Sequence, residues 1–303
     1  MESNKQLIEK IAVIMTVFNR KEKTLRCLNS LCRSWAEAKS PIQYEVFLTD
    51  DGCTDWTKEA VMALDYQFPI HIIEGTGNLF WLGGMNLAWR AAINQSGFDG
   101  YLWLNDDTIV LADFWIELLA TQQYAQSHYG IGGIYVGSTC DPSTKQFTYG
   151  GFDFINKWTL KDQFIIPNGQ DIKPCECAHG NITYVSNEVV RRLGVFHDGY
   201  IHGAGDHDYT YQAHRKGLPV LVMKNYAGLC ENDHIGKGKR MEDMTLKERL
   251  RYCKSPFGLN IHNTLLFQKR NFWYRYPFVW LMCYCKVLFP RFFMWVYRVM
   301  RKP

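Results

Sequence analysis

A chain of 303 residues, 47% of them hydrophobic, can bury a sizeable core as one large domain, or as one domain plus an appendage. Its net charge of +4 hides an asymmetry: residues 249–303 hold 11 Lys and Arg and no Asp or Glu, leaving 23 basic against 30 acidic residues in 1–248. An acidic body with a basic tail points to an anionic partner for the tail, a membrane surface or a nucleic acid.

The chain opens with Ile11-Ala-Val-Ile-Met-Thr-Val17, a short apolar run that reads as a buried parallel strand. Lys21 to Ala38 follows with helical spacing through Leu25, Leu28, Leu31 and Trp35. Tyr44 to Asp50 is a second strand. Thr54 is placed as the N-cap of a second helix carrying Ala60, Val61 and Leu64. Pro69 to Ile73 is a third strand, Gly83 to Ile93 a helix after a glycine-rich turn, and Tyr101 to Leu104 a fourth strand. This alternation predicts a parallel sheet over residues 11–110, covered by helices on both faces.

Beyond residue 130 the pattern loosens. Gly132-Gly133, Gly150-Gly151 and the segment 167–181 predict short strands and loops. Ser186 then caps a helix through Leu193, and a last α/β unit spans Asp206 to Met223. No internal repeat or low-complexity segment is visible. Ten cysteines are scattered, and Met1–Lys10 lacks an apolar signal core, which predicts a reducing, cytoplasmic setting with free thiols. Cys175-Glu-Cys177-Ala-His179 does not have the spacing of a zinc ribbon or finger.

The tail is aromatic and cationic at once. Trp273, Tyr276, Phe278, Trp280, Tyr284, Phe289, Phe292, Phe293, Trp295 and Tyr297 alternate with Arg and Lys. The apolar run is too short and broken to span a bilayer, but it suits a helix lying in the interface. No nucleic-acid motif accompanies it, so lipid is the expected partner.

In an open α/β sheet, ligands bind beyond the carboxyl ends of the strands. Here those ends read Thr16-Val-Phe-Asn-Arg20, Asp50-Asp51-Gly52-Cys53-Thr54-Asp55, Gly77-Asn78 through Gly83-Gly84-Met-Asn86, and Asn105-Asp106-Asp107. Four strand ends thus converge polar and acidic groups on one edge. Carboxylates facing a polyphosphate need a divalent cation between them, and oxygen ligands select magnesium or manganese. Alternatively Asp106-Asp107 is a solvated turn; the apolar strand before it and the acidic turn at Asp50-Asp51 favour the site. Gly83-Gly84 permits close backbone approach, either to a ligand or within a tight turn. Gly203-Ala-Gly205-Asp206-His207-Asp208 opens the last helix. There Asp206 is a candidate general base, or Asp206 or Asp208 an N-cap.

Together these motifs resemble glycosyltransferase family 2, the inverting enzymes of GT-A fold. The resemblance covers roughly residues 11–235, and Gly77–Asn86 followed by Leu102–Thr108 is most similar to bacterial rhamnosyltransferase-like members. It implies a Rossmann-like, mixed but mostly parallel sheet flanked by helices. A GT-A domain would span 1–240, with a nucleotide-binding half (11–110) and an acceptor-binding half (111–240). A helical, aromatic and basic membrane-associating region would follow at 241–303. By resemblance Thr16, Phe18, Asn19, Arg20, Asp51, Asn78 and Asp106 bind the nucleotide, with Asp51 on a pyrimidine imide. Trp81, Gly83, Gly84 and Asn86 face the donor sugar. Asp107, helped by His234, holds Mn2+ or Mg2+. Asp206 is the catalytic base, with His207 and Asp208 toward the acceptor. The chain departs from the family at Asn105 in place of the first acid of Asp-X-Asp, at Gly205 in place of a glutamate, and at Gln212 where a basic residue is common.

The implied reaction moves a sugar from a UDP- or dTDP-sugar to a glycan or polyprenyl-diphosphate-linked acceptor in surface polysaccharide synthesis, peripherally on the cytoplasmic membrane. The competing readings are a nucleotidyltransferase and a catalytically silent sugar-binding scaffold subunit. The first is disfavoured because the turn after the first strand lacks the glycine-rich phosphate loop.

Overall fold

The structure, a computed structural model, describes residues 8–232, 241–293 and 295. The first half runs β1 (Lys10–Val17), α1 (Lys21–Glu37), β2 (Gln43–Asp50), α2 (Thr57–Met62), β3 (Ile70–Glu74), α3 (Phe80–Gln95) and β4 (Gly100–Leu104). A short β5 (Ile109–Val110) and α4 (Asp113–Tyr129) lead to β6 (Ile134–Cys140) and β7 (Phe147–Tyr149). Then come β8 (Gly151–Asn156), β9 (Lys161–Phe164), β10 (Lys173–Pro174), β11 (Cys177–Ala178), β12 (Ile182–Ser186) and α5 (Asn187–Leu193). The body ends with α6 (Gly205–Arg215) and β13 (Val220–Leu229), and the C-terminal region holds α7 (Leu246–Lys254), α8 (Ile261–Asn271) and α9 (Tyr276–Leu288).

The main sheet has the order β10-β13-β6-β12-β4-β1-β2-β3. Its β3-β2-β1-β4 half is parallel throughout, as the apolar runs predict. β12 enters antiparallel between β4 and β6, so the sheet is mixed. The period of two in β1 sorts its side chains: Ala12 and Ile14 join the core under α3, α5 and α6, while Ile11, Val13, Met15 and Val17 join the core under α1 and α4. A smaller three-stranded sheet, β11-β8-β9, stands beside the start of α6.

Three local expectations change. Thr54 does not cap α2; its N–H donates to Asn19 Oδ1 at 2.7 Å, and Trp56 occupies the N-cap. The helix ends at Met62, leaving Leu64 beyond it. α3 begins at Phe80, so Gly83-Gly84 lies inside its first turns rather than in a preceding loop. Ser186 caps α5 as expected, accepting from the Val189 N–H.

The C-terminal region is less separate than a boundary at residue 240 implies. Phe267 and Phe272 belong to the same core as Trp89, Trp103 and Tyr209. Beyond them the tail turns outward. Trp273, Phe278, Trp280, Tyr284, Phe289, Phe292 and Trp295 are exposed. No helix among the described residues is long and apolar enough to cross a membrane.

Candidate active site

The loops after β1 to β4 enclose a cleft of about 310 Å³ at the carboxyl edge of the sheet. Thr16, Phe18 and Arg20 come from the β1 end, Asp51 from the β2 end, Asn78, Phe80 and Trp81 from the start of α3, and Asp106 from the β4 end.

The two acidic turns behave differently. Asp51 Oδ1 accepts the Gly77 N–H at 2.8 Å, and its Oδ2 accepts the Leu79 and Phe80 N–H groups at 2.8 and 3.1 Å. These are donors at the start of α3, where a negative charge is favourable. Asp106 and Asp107 instead face a side chain: Arg20 Nη1 lies 3.0 Å from Asp106 Oδ1 and Nη2 2.6 Å from Asp107 Oδ2. Asp106 Oδ2 is buried and makes no hydrogen bond. Burial pushes the Asp106 carboxyl up to about 7, with Arg20 pulling it down and Asp107 pushing it further up. The Cys230 thiol, raised to about 12 chiefly by burial, approaches Asp107 Oδ1 at 3.7 Å.

An orphaned buried carboxylate oxygen beside a second carboxylate fits a hard divalent cation, which takes oxygen ligands and offsets their repulsion. Asp107 and Asp106 are the residues that would hold it. Asn105 does not join them, because its Oδ1 accepts from Trp81 Nε1 at 2.8 Å. No cluster of three or more His, Cys, Asp or Glu is found among the described residues. His234 lies outside the described residues.

Trp81 connects this pair to the opposite wall. A Cβ added at Gly180 would lie 2.9 Å from the Trp81 ring and 3.4 Å from Asp206 Cβ. The Trp81 ring and Asp206 thus both flank Gly180, and a side chain there would crowd the ring. Asp206 Oδ2 accepts the Gly180 N–H at 2.9 Å, and Oδ1 accepts the His207 N–H at 2.9 Å. The N-cap of α6 is Ala204, so neither Asp206 nor Asp208 is a capping residue.

The model of the family Glycosyl transferase family 2 matches residues 12–191. The chain belongs to that family. The mixed, mostly parallel sheet with flanking helices is the GT-A fold. Its fold is similar to S. aureus TarS residues 1–349, with TM-score 0.51 and 14% identity over 73% of this chain and 60% of that one. TarS 1–349 in complex with UDP-GlcNAc aligns with TM-score 0.52 and 12% identity, over 86% of this chain and 71% of that one. The mannosyltransferase PcManGT from Pyrobaculum calidifontis, in complex with GDP-Man and Mn2+, aligns with TM-score 0.50 and 15% identity, over 93% and 76%. The chain thus spans about three-fifths of the first TarS structure. No curated protein matches it in sequence.

In this family member, Thr16, Phe18, Arg20, Asp51, Asn78, Trp81 and Asp106 do gather in one cleft. Other expected site residues turn away from it. Asn19 ties the β1 and β2 loops together through Thr54. Gly84 allows α3 to rest on the sheet: a Cβ there would lie 2.0 Å from Thr16 Oγ1, and its carbonyl accepts from Thr49 Oγ1 at 2.8 Å. Gly83 packs on Leu79. Asn86 is buried and donates to the Phe196 carbonyl at 2.9 Å. Asp208, 2% exposed, is held by Arg270 Nε at 3.0 and 3.1 Å and by Asn271 Nδ2 at 2.6 Å. It anchors α8. The His207 ring packs edge-on against Phe152 and His179.

The departure at Gly205 has a packing cause: a Cβ there would lie 2.3 Å from Leu82 Cδ2, so the start of α6 meets α3 too closely for a glutamate. Gln212 Nε2 donates to Asn271 Oδ1 at 2.8 Å and thus serves the same α6–α8 contact. Phe80, His202 and Phe257 also line the cleft, although nothing local in the sequence marks them. Cys175 and Cys177 are buried, with Cys177 Sγ directed at the His207 carbonyl at 3.7 Å.

Proposed function

We propose that the chain is an inverting glycosyltransferase that takes a sugar from a nucleotide diphosphate sugar, with Asp206 as general base. The observation that carries this reading is the Trp81 bridge. One indole runs from Asn105 on the acidic turn, where a leaving diphosphate would lie, to Gly180, whose N–H donates to Asp206, where an acceptor would enter. The complexes of the similar folds support a nucleotide-sugar donor. The Mn2+ in the mannosyltransferase complex, with the orphaned Asp106 oxygen, supports a divalent ion.

The nucleotide occupies the cleft from Phe18 and Asp51 toward Asp106. Three of the roughly four acceptor positions of the Asp51 carboxylate are filled, which leaves one for the imide N–H of a pyrimidine. UDP- and dTDP-sugars are therefore the proposed donors. Asp206 takes the proton of an acceptor hydroxyl. That oxygen bonds to the anomeric carbon as the bond to the nucleoside diphosphate breaks, and configuration inverts. A bound Mg2+ or Mn2+ supplies charge neutralisation at the leaving diphosphate. Asp107 and Asp106 would hold it, Arg20 adds positive charge on the same side, and Trp81 offers an apolar face to the sugar.

The acceptor is a glycan or a polyprenyl-diphosphate-linked saccharide of surface polysaccharide synthesis, and the tail binds the anionic membrane that carries it. The β8–β9 hairpin extends that surface: exposed Trp158 stacks edge-on with Tyr274 at 4.9 Å, and Tyr274 Oη donates to the Lys157 carbonyl. Replacing exposed Trp273, Phe278 and Phe289 by Ser should release the protein from anionic vesicles. Unchanged vesicle binding overturns the membrane role. Deletion from residue 271 is a poor test, because it removes the core residue Phe272.

The deciding experiment is a thermal-shift screen with UDP-, dTDP- and GDP-sugars, with and without Mn2+. Stabilisation by UDP- or dTDP-sugars that depends on the metal is expected; no shift with any of them refutes the reading. For the base, Asp206→Asn should lose transfer and keep nucleotide binding. If nucleotide binding is lost as well, Asp206 is structural.

A further inference from the structure

The cleft borrows one wall from the C-terminal region. Phe257 sits in the turn between α7 and α8, with its ring centroid 5.6 Å from Phe80 and 4.8 Å from His202. It is 72% exposed, so it contributes little to any core. The turn beneath it is nevertheless firmly built. Gly258 N–H donates to the Ser255 carbonyl and Leu259 N–H to the Tyr252 carbonyl, and a Cβ at Gly258 would lie 2.1 Å from the Tyr252 oxygen.

The partners of Phe257 are held equally firmly. Asn263 Nδ2 donates to the carbonyls of His202 and Gly203 at 2.7 and 3.0 Å, and Asn260 Nδ2 donates to that of His202 at 3.0 Å. The start of α8 is thereby bolted to the loop that leads into Asp206. Phe80 has a φ of 56°, unusual for a bulky residue, and its N–H is bonded to Asp51. A rigidly supported, exposed aromatic at the mouth of a concave cleft is arranged for a ligand more than for packing.

We infer that Phe257 is a donor-binding residue whose ring, with Phe80, forms the outer aromatic wall against the nucleobase. The inference rests on the nucleotide-sugar reading above and goes beyond it by making the donor site composite, shared between the GT-A body and the C-terminal region. The end of the donor is chosen by the neighbours. Trp81 stands toward Asn105 and Asp206, the reacting end, whereas Phe80 is tied to Asp51, the nucleoside end. The flat π-face of a base stacks on aromatic rings without demanding a particular hydrogen-bond pattern.

The test is calorimetric binding of UDP, dTDP and inorganic diphosphate, each with Mn2+, to the full chain and to Phe257→Ala and Phe257→Tyr. Phe257→Ala should weaken nucleotide binding about ten-fold, the size expected for one lost base stack. It should leave diphosphate binding and melting temperature unchanged, and Phe257→Tyr should bind nucleotide like the parent. Equal nucleotide affinity in Phe257→Ala overturns the inference, as does an equal loss for diphosphate, which would mean a general change of cleft shape. If the parent chain binds neither UDP nor dTDP, the nucleotide-sugar reading itself has failed.

Discussion

Asp50-Asp51 closes β2 and Asp106-Asp107 closes β4, with β1 between the two strands. Both are adjacent aspartates at the end of a parallel strand, yet their charge is met in different ways. Asp50 Oδ1 accepts the N–H groups of Gly52 and Cys53, and Asp51 accepts three more from the start of α3. Those donors belong to the backbone and stay with it. Asp106 and Asp107 are met by the Arg20 guanidinium, which swings on a long side chain, and one Asp106 oxygen has no partner. Backbone neutralisation makes a permanent fastening. Side-chain neutralisation makes a site whose counter-charge can be shared with an incoming cation or diphosphate.

That contrast can be broken by substitution. Asp107→Ala should lower glycosyl transfer by about a thousand-fold, roughly 4 kcal/mol of barrier, while the melting temperature stays within a few degrees. Retained transfer would mean that the pair is only a turn. Asp51→Ala should, beyond any loss of nucleotide binding, unfold more easily by about 3 kcal/mol, since three N–H groups lose a charged acceptor. Urea denaturation measures this, and a loss below about 1 kcal/mol would contradict the fastening role. Asp106→Asn sharpens the same point, because removing a buried charge with an orphaned oxygen should leave urea stability unchanged or slightly higher.

The smallest expected effect lies away from the cleft. Burial pushes the Glu45 carboxyl up, but hydrogen bonds from Lys10, His71 and Gln95 outweigh it and bring it down to about 2. An unfolded glutamate titrates near about 4.3. Because the folded value is the lower one, the stabilisation is complete above the unfolded value and is lost as pH falls from there toward 2. Glu45→Gln should therefore flatten the acid limb of a stability-versus-pH curve between about pH 4.5 and 2 without altering transfer at neutral pH.

The parallel half of the sheet was readable before any coordinates, because fully buried strands must be continuous apolar runs and their helices must repeat every three or four residues. The acidic strand ends were readable too, since open α/β sheets place ligands there. The pair Gly83-Gly84 was ambiguous in sequence, because a glycine beside a sheet serves close helix packing as readily as ligand approach; at Gly84 an added Cβ would lie 2.0 Å from Thr16 Oγ1, which marks a packing constraint. The Asp208–Arg270 pair was not legible, because the two residues are 62 apart in the chain, beyond the reach of any local pattern.

By itself, then, the amino-acid sequence determined the strand–helix alternation, the two Asp-Asp turns, the candidate base at Asp206 and the charge split of the tail. All of these are properties of neighbours along the chain. The tertiary structure decided which carboxylates are spent on backbone donors, which glycines make room for helices, and how Trp81 joins the two walls. It also brought Phe257 into the cleft from the region that sequence had reserved for the membrane. Those outcomes depend on distances between residues far apart in the chain, and such distances exist only once the sheet has formed and α8 is docked on α6.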